Sequence, residues 1–157
     1  MNYYTKSKIA AFVVFVWILS CCSLCLAIDN PDGPNYVAEF QAKSKNFEMN
    51  IQKKARNDSE IVFAYKEYEK FLDEELNRTY AALMQRLKEP SKQNLLVSQR
   101  RWVQYRDAEF LFIASNWTVE NFGSSASISR SGFRTTILRD RVVGLLYYLQ
   151  NYGETSQ

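Results

Sequence analysis

Gln99, Trp102 and Arg106 stand three and four residues apart, a spacing that brings an amide, an indole and a guanidinium onto one face of a helix. The rest of that face is apolar. A guanidinium there needs a carboxylate or carbonyl groups, because arginine does not shed its proton and an unpaired buried charge costs several kcal/mol. Asp73 and Asn77, with Tyr80 and Met84, fall at the edge of the apolar stripe of the preceding helical segment. Asp73 is therefore the first partner expected for Arg106, and Asp107 the second. Asp73, Asn77, Gln99, Trp102, Arg106 and Asp107 together read as a polar cluster that holds helix register, the alternative being an exposed recognition or catalytic site. As a buried pair, Arg106→Ala should cost about 2–5 kcal/mol, with Trp102→Ala comparable.

Two other groupings could act on a partner. Glu67, Glu69, Asp73, Glu74 and Glu75 form an acidic run that would attract a cationic protein, although Lys66, Lys70 and Arg78 are interspersed. The same residues also fit an ordinary solvated helix face with pairs such as Glu74 with Arg78. Between Asn121 and Gly132 the chain reads NFGSSASISRSG, a loop signal whose Gly123, Ser124 and Ser125 could enter a cleft or merely connect helices. Trp117 and Phe122 at its start would anchor such a contact or fold beneath the loop.

Catalytic chemistry has little to work with. The 157 residues include no histidine, which removes serine and cysteine nucleophiles paired with imidazole and imidazole metal sites. Cys21, Cys22 and Cys25 are the only cysteines, so the chain beyond them holds neither a disulfide nor a thiolate site. No cofactor or metal is expected. Paired carboxylates such as Glu109 with Asp107 or Glu120 could cleave glycans only across a cleft, with one pKa raised. Such loosely spaced acids occur on most helix surfaces.

The first 27 residues read as a targeting segment. Lys6 and Lys8 precede an uncharged run from Ile9 to Ala27, which has the layout of a secretory signal. Lipidation at Cys21 and retention as a membrane anchor are the alternatives to cleavage. Removing that segment leaves 18 basic residues against 17 acidic ones, a net charge of +1. Nucleic acid is thereby disfavoured as a partner, since it demands a basic surface excess. Contact with a membrane is expected only through the signal or a lipid.

Positioning these groups falls to helices. Residues 28–35 carry Pro31, Gly33 and Pro34 and read as a linker. A first helix is expected from Tyr36 to about Ala55 with Val37, Phe40, Phe47 and Ile51 on one side, and Ser59 then caps the second. From Glu60 to Lys88, Ile61, Tyr65, Tyr68, Leu72, Leu76, Tyr80, Leu83 and Leu87 recur in steps of three and four. Pro90 ends that run, and Ser91 would cap a third helix carrying Leu95, Gln99, Trp102, Val103, Arg106, Phe110, Ile113 and Trp117. A fourth is expected from Phe133 to about Tyr152, with residues 153–157 a disordered tail. The fold class is all-α, a small bundle of three to four helices spanning residues 36–152.

The segment from Leu72 to Tyr80, LDEELNRTY, and that from Gln99 to Glu109, QRRWVQYRDAE, resemble the LprI-like lysozyme inhibitor family. Gly123-Ser124 and Leu138-Arg139-Asp140-Arg141 are similar to its loop and last helix, so that the resemblance runs from about Glu48 to Leu146. It implies a secreted or periplasmic helical domain without catalytic residues, sometimes a lipoprotein, with lysozyme inhibition assigned to part of the family. The family commonly has a cysteine where this chain has Phe110 and another near Phe133, and an earlier one near Gln52 or Ala64. A core contact of the two phenylalanines should stand in for a covalent tie worth about 2–4 kcal/mol.

The expected function is a non-enzymatic envelope protein that binds and inhibits a lysozyme-type enzyme. Its main rival is an assembly, stress or immunity module with a different protein partner.

Overall fold

The structure, a computed structural model, describes residues 33–152, which lie within the compact unit Asp32–Gln157. The expected signal segment, most of the linker and the tail at 153–157 lie outside the described residues. Helix α1 spans Tyr36–Met49 and passes into a π-helical turn at Asn50–Lys54; α2 spans Asp58–Arg86; α3 spans Ser91–Asn116. A one-turn helix α4, Val119–Phe122, and a 3-10 turn, Gly123–Ser125, lead into α5, Ala126–Gln150. Among the described residues there is no strand, and no helix is long and apolar enough to cross a membrane.

Local chemistry sets the helix starts. Asn35 accepts a hydrogen bond from the Ala38 amide at 2.9 Å and so caps α1. At α2 the cap is Asn57 rather than Ser59. Its side-chain oxygen accepts from the Glu60 amide at 3.0 Å, while the Glu60 carboxylate reaches back to the Arg56 amide at 2.9 Å. Ser91 does not cap α3 either: it is already helical, and the Pro90 carbonyl accepts from the Asn94 amide at 3.1 Å.

The core lies between α2 and α5, the most extensive pairing in the molecule, with α1 laid across both. From α2 come Tyr68, Leu72, Leu76 and Leu83, and from α5 Leu138, Val142, Leu145, Leu146 and Leu149. These follow the three-and-four spacing, so each helix turns one continuous apolar stripe inward. Burying each such side chain is worth about 1.5–3 kcal/mol. Val37 and Phe40 close the core from α1, where Phe47 stacks on Phe71 at 4.6 Å and on Tyr68 at 5.5 Å. Arg86 ties the far end by donating to the Tyr152 carbonyl at 2.6 Å and the Tyr36 hydroxyl at 3.3 Å.

Two expectations change here. Helix α5 begins at Ala126, seven residues before Phe133, so the anticipated loop shrinks to the short helix, Gly123 and its 3-10 turn. The serines do not break the helix. Ser125 donates to the Phe122 carbonyl at 2.9 Å and Thr135 to the Ser131 and Gly132 carbonyls at 3.0 and 2.9 Å, turning their hydroxyls back along the chain. Ala126 is wholly buried, and Gly132 lies against the Tyr65 hydroxyl, so tertiary contact favours helix there. The real break is Gly123, whose φ of +62° suits a residue without Cβ. The second change is α3: its stripe has the expected spacing, yet only Ile113 is fully buried, because α3 packs mainly on α5.

A cation–π ladder and an aromatic tip as the candidate functional site

Guanidinium groups and rings run between helices α3 and α5. Arg141 of α5 donates from Nε and Nη2 to the Gln99 side-chain oxygen at 3.0 and 2.9 Å. Its guanidinium carbon lies 5.7 Å from the Trp102 ring centre, and that of Arg106 lies 5.6 Å from the same ring. Arg106 is also 5.9 Å from Phe110, which receives Arg134 at 4.5 Å. Arg134 then donates to Glu69 of α2 at 3.0 Å. Cation, ring, cation, ring, cation and carboxylate thus alternate along one seam. All four ring distances fall within cation–π range, worth about 0.5–1 kcal/mol each where exposed and about 2 when desolvated.

The partner of Arg106 is its chain neighbour. Nε and Nη2 donate to Asp107 at 2.9 and 2.7 Å, so Asp107 rather than Asp73 takes the charge. With the Arg106 side chain 24% exposed and that of Asp107 58% exposed, this is a surface-facing pair. Asp73 and Asn77 sit exposed on α2, so the expected six-residue cluster divides. Gln99, Trp102, Arg106 and Asp107 stay on α3, and Asp73 bears on the seam through its charge on Glu69. Burial raises the Glu69 pKa, opposed by Arg134 and reinforced by Asp73. Burial also lowers that of Arg141. Sequence reasoning missed Arg134 entirely. Arg141 stood in a recognised motif, but local spacing carries no signal for a partner 42 residues away.

At one end of this seam α3 stops at Trp117, whose amide closes on the Ile113 carbonyl at 3.1 Å. Thr118 caps the short helix α4, and Arg130 donates to the Trp117 carbonyl at 2.5 Å, fixing the corner. Around the half-buried indole stand Phe133 at 4.4 Å, Phe112 at 5.8 Å edge-on and Phe122 at 5.9 Å. Phe112 is 55% exposed and Phe122 46%, with Leu111 and Val119 still more open beside them. Gly123, Ser124 and Ser125 are exposed next to Phe122. Trp117 therefore folds beneath its neighbours, and the phenylalanines face water. Such a contiguous apolar patch is a mark of an interaction surface.

The acidic run presents less than its composition promised. Glu75 is buried and paired with Arg78, which removes it as a contact and replaces the anticipated Glu74–Arg78 pair. Glu74 remains exposed.

The family profile described as Lysozyme inhibitor LprI matches residues 49–145, a span that contains α2, α3, α4, the ladder and the tip. The chain belongs to the LprI lysozyme inhibitor family. No curated protein and no solved structure matches it. Within this LprI chain, α1 precedes the matched span almost entirely, yet it supplies Val37 and Phe40 to the core. Of the two positions where the resemblance implied a cysteine, Phe110 packs against the core and under Arg134, as a substitute tie requires. Phe133 does not: it is 44% exposed and leans on Trp117, because the corner turns it away from the α2–α5 core.

Proposed function

We propose that this chain is an exported, non-enzymatic binding protein that inhibits a lysozyme-type peptidoglycan-cleaving enzyme through its aromatic tip. The observation that carries the reading is the cluster of Phe112, Phe122 and Phe133 held open to solvent around Trp117, within the LprI-matched span. Ligand clefts in general are lined largely by apolar and aromatic side chains with a few polar groups, which suits a rigid aromatic wedge flanked by the Gly123–Ser125 turn. Preorganisation matters here. The corner is fixed by the Arg130 hydrogen bond, so little ordering is lost on docking.

Support for a non-enzymatic role comes from the acids themselves. Glu120 is exposed, and hydrogen bonds from its own backbone amide and the Thr118 hydroxyl lower its pKa, whereas a general acid needs the reverse. The reading places the domain in the periplasm or outside the cell after removal of the signal, with no nucleic-acid partner. The near-neutral charge favours a second reading, an envelope assembly or immunity module whose partner is another protein.

Lysis assays with a cationic animal lysozyme and with endogenous lytic enzymes test the first reading. The folded protein should inhibit at stoichiometric excess, and Phe122→Ser combined with Phe112→Ser should weaken inhibition at least roughly tenfold while leaving the melting curve unchanged. Equal inhibition by that double variant removes the tip from the mechanism. No inhibition at all, with capture of endogenous envelope proteins, supports the second reading.

A further inference from the structure

The end of α1 with its π-helical turn, the first half of α2 and the first half of α5 enclose an open cleft of about 460 Å³. That volume lies within the range of roughly 300–1,000 Å³ typical of small-ligand sites. Its wall carries Tyr65 and Ile51, and around them stand Gln52, Ser129 and Thr136. One edge is an ion pair left open. Arg139 Nε stands 3.7 Å from Glu48 Oε1, beyond hydrogen-bond range, and is buried with no hydrogen-bond partner among the described residues. Among the described residues Glu48 accepts only a long 3.4 Å bond from the Tyr68 hydroxyl.

We propose that this cleft binds a short neutral saccharide. The argument is one of matching groups. Glu48 and Arg139 lie close enough to cancel each other's field, so an anion drawn by one is repelled by the other, and a cation fares no better. A vicinal diol escapes that conflict: one hydroxyl accepts from the guanidinium while its neighbour donates to the carboxylate. The C–H face of the sugar ring needs an apolar platform, which Tyr65 and Ile51 supply, and remaining hydroxyls meet the Gln52 amide and the Ser129 and Thr136 oxygens. Phe133 lines one end of the cleft and also leans on Trp117 at the tip, whereas Phe112 and Phe122 take no part in the lining, and the proposal stands whether or not a lysozyme is the partner.

Titration followed by amide chemical shifts tests it on the signal-free chain, with the β-1,4 trimer of N-acetylglucosamine, its deacetylated cationic counterpart, a trigalacturonate and a neutral tripeptide as probes. The neutral trimer should shift the amides of Ser129, Gly132 and Thr136 with a Kd of about 1 mM or tighter, and each charged trimer should bind at least roughly fivefold more weakly. Gln52→Ala should weaken the neutral trimer about fivefold, and Glu48→Gln should move preference toward the trigalacturonate. The tip variant Phe112→Ser with Phe122→Ser should bind the sugar as wild type does. No shifts at 20-fold that concentration, tighter binding of a charged trimer or of the tripeptide, or unchanged affinity in both cleft variants would overturn the proposal.

Discussion

Helix α5 presents two different faces to its neighbours. Toward α2 and α1 it turns Leu138, Val142, Leu145 and Leu149, all nearly inaccessible; toward α3 it turns Arg134 and Arg141, which meet rings and an amide, with Arg134 also reaching the Glu69 carboxylate of α2. The apolar seam excludes water and supplies most of the stability, since burial scales with area and asks for little directionality. The ladder works differently. Guanidinium groups over Trp102 and Phe110 and on Gln99 hold only at particular distances and angles, so they orient α3 more than they stabilise it. A helix held by its edge keeps its outer side and its tip free, which suits the partner contact proposed for its exposed rings.

Breaking the two seams should separate them. The largest effect belongs to the apolar one: Leu145→Ala, at a site without solvent contact, should lower stability by about 2–5 kcal/mol in urea unfolding. On the ladder, Trp102→Ala should cost about 2–3 kcal/mol, and a double-mutant cycle with Arg141→Met should return a coupling of about 0.5–1.5 kcal/mol. A coupling near zero would mean that the ring and the guanidinium are merely adjacent. Arg106→Ala should be milder, about 0.5–1.5 kcal/mol, below the 2–5 expected of a buried pair, because its half-exposed Asp107 partner is well solvated. If its loss matches that of Leu145→Ala, the two seams do not differ in the way described.

The smallest effect sharpens the comparison through pH. Glu69, at the α2 end of the ladder, has a folded pKa raised above the ordinary carboxylate value near 4.5. A raised folded pKa means that the native state holds the proton more tightly than the unfolded chain does. Its contribution is therefore present below the unfolded pKa and is lost as pH rises through the folded one. The stability of wild type relative to Glu69→Gln should fall as pH is raised from about 4 to 7, read from urea midpoints. A relative gain over that interval would show that Arg134 outweighs burial.

Helix number and order were legible because burial of an amphipathic stripe repeats every three to four residues, and Pro90 and Gly123 interrupt it with local backbone chemistry. The inward residues of α3 were legible too: Leu95, Trp102, Phe110 and Ile113 face the bundle as their spacing requires. How deeply they sink was not, since periodicity states which face turns inward and nothing about how much protein covers it. The aromatic tip shows the same division. Trp117 and Phe122 were visible as large apolar residues beside Gly123, but Phe112 and Phe133 join them only because α3 and α5 meet at that corner.

What the amino-acid order settled alone is therefore short-range: helical periodicity, the stop at proline, and the want of imidazole or thiolate chemistry beyond Cys25. Tertiary structure decided the pairings. Whether Arg106 chose Asp73 or Asp107, whether Gln99 met Arg141, and whether serines 125–131 became loop or helix all turn on the rotation and depth of α3 and α5 against their neighbours. Those quantities are set by the whole packed core, and no segment of the chain encodes them by itself.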